Sequence, residues 1–200
     1  MAITKILELK NENLITFSWD YYFKIWKLNN NNKYEKIYEF KDINELNDGL
    51  EIKDNEIILY ALNTNPQSLV FYNLNKNEKI KTLNNLNLLV GTNVGERIIK
   101  INNDEVAIAG NKKIYLLDIN NYSILQDINY DYCNRCILKL SNTLFLTGDE
   151  KGTITQYKIE NKKIIKESFK LKSHGWINSI TLLNEMIITG GYSNEIKIWK

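Results

Sequence analysis

The chain has 200 residues, 44% of them hydrophobic, with 26 Lys and Arg against 24 Asp and Glu and a formal net charge of +2. This is the balance of a folded domain, not of a disordered or fibrous chain, and it lacks the clustered cationic excess of a phosphate-backbone binder, so nucleic acid is not an expected partner. No apolar run approaches the roughly 18 residues of a membrane span, and Met1–Lys10 carries charge where a secretory leader would be apolar, so a cytoplasmic or nuclear protein with no membrane partner is expected.

The same pattern recurs along the chain. An apolar pair of runs broken by a polar turn appears as KILELKNENLITFS, GLEIKDNEIILYAL, RIIKINNDEVAIAG, CILKLSNTLFLTG and SITLLNEMIITG. Each turn holds Asn, Asp or Ser with a polar neighbour: Asn11-Glu12-Asn13, Asp54-Asn55, Asn103-Asp104, Ser141-Asn142 and Asn184-Glu185. Asn and Asp tolerate the left-handed backbone of tight hairpins, so each copy predicts two antiparallel strands, a and b. A third strand, c, follows each hairpin as FKIWKL, LVFYNL, IYLLDI, ITQYKI and IKIWK, beginning at residues 23, 69, 114, 154 and 196. A fourth, d, is predicted at Tyr34–Phe40, Lys79–Leu86, Tyr122–Ile128 and Lys163–Leu171. Read alone, Tyr34–Leu46 fits an amphipathic helix; the phase of the repeat assigns it as strand.

A period of 40 to 46 residues with four strands per unit is that of a β-propeller blade, a small twisted sheet whose two apolar faces need neighbours. Helical solenoids of similar period need long runs at 3.6-residue spacing, which these short interrupted segments do not supply. The predicted fold is all-β, with about five blades at residues 3–40, 50–86, 97–128, 136–171 and 178–200 of a single propeller or partial propeller.

The last copy, SHGWINSITLLNEMIITGGYSNEIKIWK, and the first, LITFSWDYYFKIWKL, resemble the WD-repeat family of propellers. The resemblance implies a buried hydrogen-bonded chain within each blade, from a His before strand a, through a Ser or Thr on strand b and an Asp in the b-to-c turn, to a Trp on strand c. In this sequence it implies His174, Thr189 and Trp199 in the last copy, with Ser193 at the Asp position, and Thr16, Asp20 and Trp26 in the first. In the middle copies Tyr72, Leu117 and Tyr157 stand at the Trp position, and Lys27 and Lys200 follow the two tryptophans where the family's Asp would be. The resemblance spans the chain by period and two copies by motif. Five a-b-c sets against four d strands predict an open or partial propeller lacking the last outer strand. The missing part is then expected from a longer form of the protein or from another chain.

Little of the sequence supports catalysis. His174 is the only histidine, and in the best-matching copy a structural hydrogen bond is its expected role. Gly91–Gly95 and Gly148–Gly152 lack the lysine and spacing of a phosphate loop. Cys133-Asn-Arg-Cys136 is half of a zinc site, falling in a d-to-a loop and at a strand start. Asp48, Glu51, Asp54 and Asp149-Glu150 lack calcium-loop spacing and are expected to be solvated turn residues. No cofactor or metal is expected.

Up-and-down topology sorts the loops. The a-to-b and c-to-d turns share one end, rich in Asn. The b-to-c and d-to-a loops share the other, which collects Trp19, Tyr21, Tyr22, Arg97, Tyr130, Tyr132, Arg135, Trp176 and Tyr192. Trp, Tyr and Arg dominate binding hot spots because they bury large areas while keeping a polar handle. About half of the rings are expected to be structural. Trp26 and Trp199, on strands, are expected in the core. The expected function is therefore a non-enzymatic protein-interaction scaffold whose rim (Trp19, Tyr21, Tyr22, Arg97, Tyr132, Arg135, Trp176, Tyr192) meets a protein or peptide. The alternatives are a structural piece of a larger scaffold and a propeller enzyme with a ligand in its central channel.

Overall fold

The computed structural model describes residues 3–41, 45–62, 67–88, 96–172, 175–192 and 195–199. His174, Ser193 and the Gly91–Gly95 loop lie outside the described residues. The fold is all-β and of β-propeller type: the described residues form antiparallel sheets in up-and-down order and no helix, so none is long and apolar enough to cross a membrane. The chain divides into two compact units, residues 1–86 and 87–200.

The first unit holds two blades. Strands β1 (Ile3–Glu8), β2 (Leu14–Ser18), β3 (Tyr22–Leu28) and β4 (Tyr34–Lys41) pair in that order, as do β5 (Glu45–Lys53), β6 (Glu56–Leu62), β7 (Ser68–Asn73) and β8 (Glu78–Leu83). Their shared core places Ile15, Phe17, Phe23, Ile25 and Phe40 against Leu46, Ile57, Leu59, Val70, Tyr72 and Leu74. Phe23 stacks on Phe40 at 4.6 Å, and Tyr72 meets both edge-on at 5.4 Å. Polar groups cross the same boundary: Thr4 Oγ1 donates to Leu46 O at 2.9 Å, and Lys5 pairs with Asp48 at 2.5 Å. The Tyr34 segment is strand up to Lys41, as the repeat phase requires, while Leu46 belongs to the next blade. That blade starts at Glu45, earlier than residue 50, because irregularities at Leu46/Asp48 and Glu51/Lys53 break the alternation that would mark the strand.

The second unit holds two four-stranded sheets and a three-stranded one. They are β9 (Ile98–Lys100), β10 (Glu105–Ala109), β11 (Lys113–Asp118) and β12 (Ser123–Asn129); β13 (Asn134–Lys139), β14 (Leu144–Asp149), β15 (Thr153–Glu160) and β16 (Lys163–Lys172); and β17 (Ile177–Leu183), β18 (Met186–Gly191) and β19 (Ile196–Trp199). The last sheet lacks a fourth strand among the described residues, as the strand count anticipates. The middle sheet is covered on both faces. Phe145, Ile137 and Tyr157 pack on Ile99, Ala107, Ile114 and Leu116, while Cys136, Leu146 and Ile154 pack on Ile177 and Ile180. Residues that alternate along β14 thus enter different cores, so Leu144-Phe-Leu146 reads as a continuous apolar run and not as an alternating one. Each such aliphatic side chain taken from water contributes about 1.5–3 kcal/mol, the main force holding blade to blade.

Turn chemistry follows the sequence in part. Asn184 and Glu185 both have positive φ (48° and 65°), as do Asn161 and Lys162 (51° and 60°), the backbone of a two-residue hairpin turn. At the turns around Asn103 and Ser141 side chains contribute. Asp104 N donates to Asn102 Oδ1 at 2.9 Å, and Thr143 N and Leu144 N donate to Ser141 Oγ at 3.2 and 3.1 Å.

Two sequence expectations are corrected. Asp48 and Asp149 are buried, not solvated. Asp149 sits fully enclosed because Lys151 N and Thr153 N, both at 2.8 Å, donate to its Oδ1, and the Tyr130 hydroxyl donates to its Oδ2 at 3.0 Å. Trp26 and Trp199 are half-buried, not core. Each still donates its indole N–H to a strand-b threonine, Trp26 to Thr16 at 3.0 Å and Trp199 to Thr189 at 3.1 Å. These are the threonine–tryptophan pairs that the resemblance implies.

Candidate functional site: an aromatic rim

In the second unit the loop before β17 and the loop after β18 meet through Trp176 and Tyr192. Their rings are 5.1 Å apart at 89°, an edge-to-face pair, and Tyr192 N donates to Trp176 O at 3.2 Å. Gly191 permits this approach, since a Cβ there would lie 1.7 Å from Trp176 O. Against the Trp176 ring lies Arg135, at the start of β13. Its guanidinium carbon is 4.4 Å from the Trp176 ring centroid, and its Nε donates to Asn178 Oδ1 at 2.6 Å. Arg135 is nearly enclosed, whereas Trp176 is 43% and Tyr192 57% exposed. The arrangement is a rigid, solvent-facing aromatic surface on a cation whose hydrogen bond fixes its plane.

Tyr132, 39% exposed, meets Tyr130 edge-on at 6.5 Å and has Lys151 Nζ 5.7 Å from its ring. Tyr130 turns its hydroxyl inward, to Asp149 and to Thr155 Oγ1 at 3.0 Å. Burial, with the Asp149 charge adding to it, pushes its pKa up to about 12 despite the Thr155 bond, so it is a neutral structural donor. In the first unit Tyr21 is exposed and Trp19 and Tyr22 are half-buried. Lys24 and Lys41 lie over the Tyr22 ring at 5.5 and 5.8 Å. Asp20 holds this turn by accepting from Tyr22 N at 3.1 Å and pairing with Lys24 at 3.1 Å. Burial opposes its charge, yet the bonds from Lys24, Tyr22 N and Ser18 outweigh that and keep its carboxyl below the usual value.

Of the expected rim, the structure brings Arg135, Trp176 and Tyr192 together and leaves Tyr132 and Tyr21 accessible. Arg97 is a correction: it is fully buried, with its carbonyl accepting from Ala109 N at 2.8 Å, and offers no surface to a partner. Asn178, which fixes the Arg135 guanidinium, was not singled out by the sequence, and Asp149, expected there as a solvated turn residue, instead accepts from Tyr130 behind the rim. An acidic residue in each of two b-to-c turns, Asp20 and Asp149, was the available signal. Cys133 donates its thiol to Asn111 Oδ1 at 2.8 Å, and Cys136 is enclosed, with burial pushing its thiol up to about 12. Neither thiol is poised as a thiolate near neutral pH. At the opposite end, a shallow cleft of about 230 Å³ is lined by Lys100, Asn102, Asn103, Lys139 and Asn142 and presents no aromatic surface. No protein-family model matches this sequence, and no curated protein matches it either.

Proposed function

We propose that the chain is a divergent WD-repeat propeller acting as a non-enzymatic interaction module, with the rim around Trp176, Tyr192, Arg135 and Tyr132 as the surface that holds a protein or peptide segment. The observation that carries this reading is the exposed Trp176–Tyr192 pair, with Trp176 seated on Arg135. Large rings held in place in advance lose little entropy on binding, and they keep an indole N–H and a phenol to orient a partner. The two threonine–tryptophan bonds support the family assignment.

Peptides selected by display against the full chain test the reading. Trp176→Ala with Tyr192→Ala is expected to weaken the selected peptides at least tenfold, as loss of a hot spot does, while the melting temperature stays near that of the parent. A selection that yields no binders, or only binders indifferent to both substitutions, overturns it.

A further inference from the structure

Among the described residues, one face of the last sheet is bare. Register sets Ser179 opposite Gly190, Gly190 opposite Ile196, and Ile188 opposite Ile198, so these residues share a face. Ile196 is 78% and Ile198 59% exposed, and a Cβ on Gly190 would meet no atom within 4 Å. The preceding sheet carries the same positions in the same register, as Cys136 opposite Gly148 and Gly148 opposite Ile154, with Leu146 beside them. There the face is covered. Ile177 and Ile180 of β17 bury against Cys136, Leu146 and Ile154, and a Cβ on Gly148 would come within 2.7 Å of Ile177 Cγ2. Ser179, Ile188, Gly190 and Ile196 therefore form a second socket of the kind that receives Ile177 and Ile180.

The matching plug stands on β1. Ile3 opposite Ser18 and Ile6 opposite Thr16, with a shift of register between Ile3 and Lys5, repeat Ile177 opposite Gly191 and Ile180 opposite Thr189, with a shift between Ile177 and Ser179. The threonine that faces Ile6 bonds Trp26, just as the one that faces Ile180 bonds Trp199. Ile177 and Ile180 are buried, yet Ile3 and Ile6 are 58% and 59% exposed. We propose that the β1 face of one copy seats on the bare β17–β19 face of a second copy, repeating between chains the junction already made between the last two sheets. A plug and a socket on different surfaces give a heterologous, head-to-tail contact. This is independent of the rim.

Sedimentation velocity of the full chain over a concentration series tests it. The parent is expected to associate, and Ile6→Lys and Ile196→Lys each to be monomeric, with melting curves near that of the parent. Mixing the two variants restores association but stops at a dimer, because one keeps only its socket and the other only its plug. Gly190→Arg starts from a Cβ position with no atom within 4 Å, projects a cation into the socket and is expected to weaken association at least tenfold, whereas Trp176→Ala leaves it unchanged. A parent that stays monomeric, as it would if another protein or further residues of its own polypeptide covered the face, overturns the proposal. So does a mixture that stays monomeric.

Discussion

Tyr130 and Tyr157 mark how far burial changes single residues here. Both phenols are pushed upward first by burial, Tyr130 to about 12 from an ordinary 10.0, and Asp149 adds to the shift in each case. The sign of the consequence follows from linkage. A folded pKa above the unfolded one means that the unfolded chain loses its proton first as pH rises. The stability these groups contribute is thus intact below about pH 10 and is lost as pH climbs toward 12. An alkaline titration followed by phenolate absorbance is expected to show late tyrosines that ionise together with unfolding. Tyr130→Phe removes one of them; if all tyrosines ionise before the fold is lost, the enclosed positions of these rings are wrong. Arg97 teaches the converse at this scale. A guanidinium reads as surface in any sequence, because charged groups are rarely enclosed, and only the packing of the folded chain encloses this one.

At the scale of the element, the hairpins and c strands were legible because their apolar runs and polar turns recur at one period. Asn184, with φ of 48°, is the turn residue that the pattern calls for. Strand β5 was less legible, since its two irregularities set buried Asp48 within a run that alternation would assign to a turn. Adjacent glycines at the end of β18 give a test of the sheet and the rim together. Gly190→Ala meets open space and is expected to be neutral or to stabilise by about 0.5 kcal/mol, by limiting the freedom of the unfolded chain. Gly191→Ala drives a Cβ into the Trp176 carbonyl and is expected to cost about 2 kcal/mol. It should also dislodge the Trp176–Tyr192 pair. Urea unfolding of both variants measures the difference, and equal effects would contradict the close approach at Gly191.

For the whole molecule, the consequence of repetition is that every blade face needs a cover. Among the described residues, Ile3 and Ile6 in one unit and Ile196 and Ile198 in the other are the exposed apolar residues of such faces. Association driven by such faces carries the thermodynamic mark of apolar burial: it is expected to weaken on cooling from room temperature and to strengthen with sulfate. Light scattering at several temperatures and salt concentrations checks this, and association that weakens as sulfate is added would point to charge pairing instead.

The sequence alone determined the number and order of the strands seen among the described residues and the blade period. All of these depend on local pattern, which is written residue by residue along the chain. The tertiary structure decided which of those residues are accessible. Arg97, Arg135, Asp48 and Asp149 are enclosed while Trp176, Tyr192, Ile6 and Ile196 face solvent, because exposure depends on which sheet lies against a given face, and that neighbour is set by packing between segments far apart in the chain.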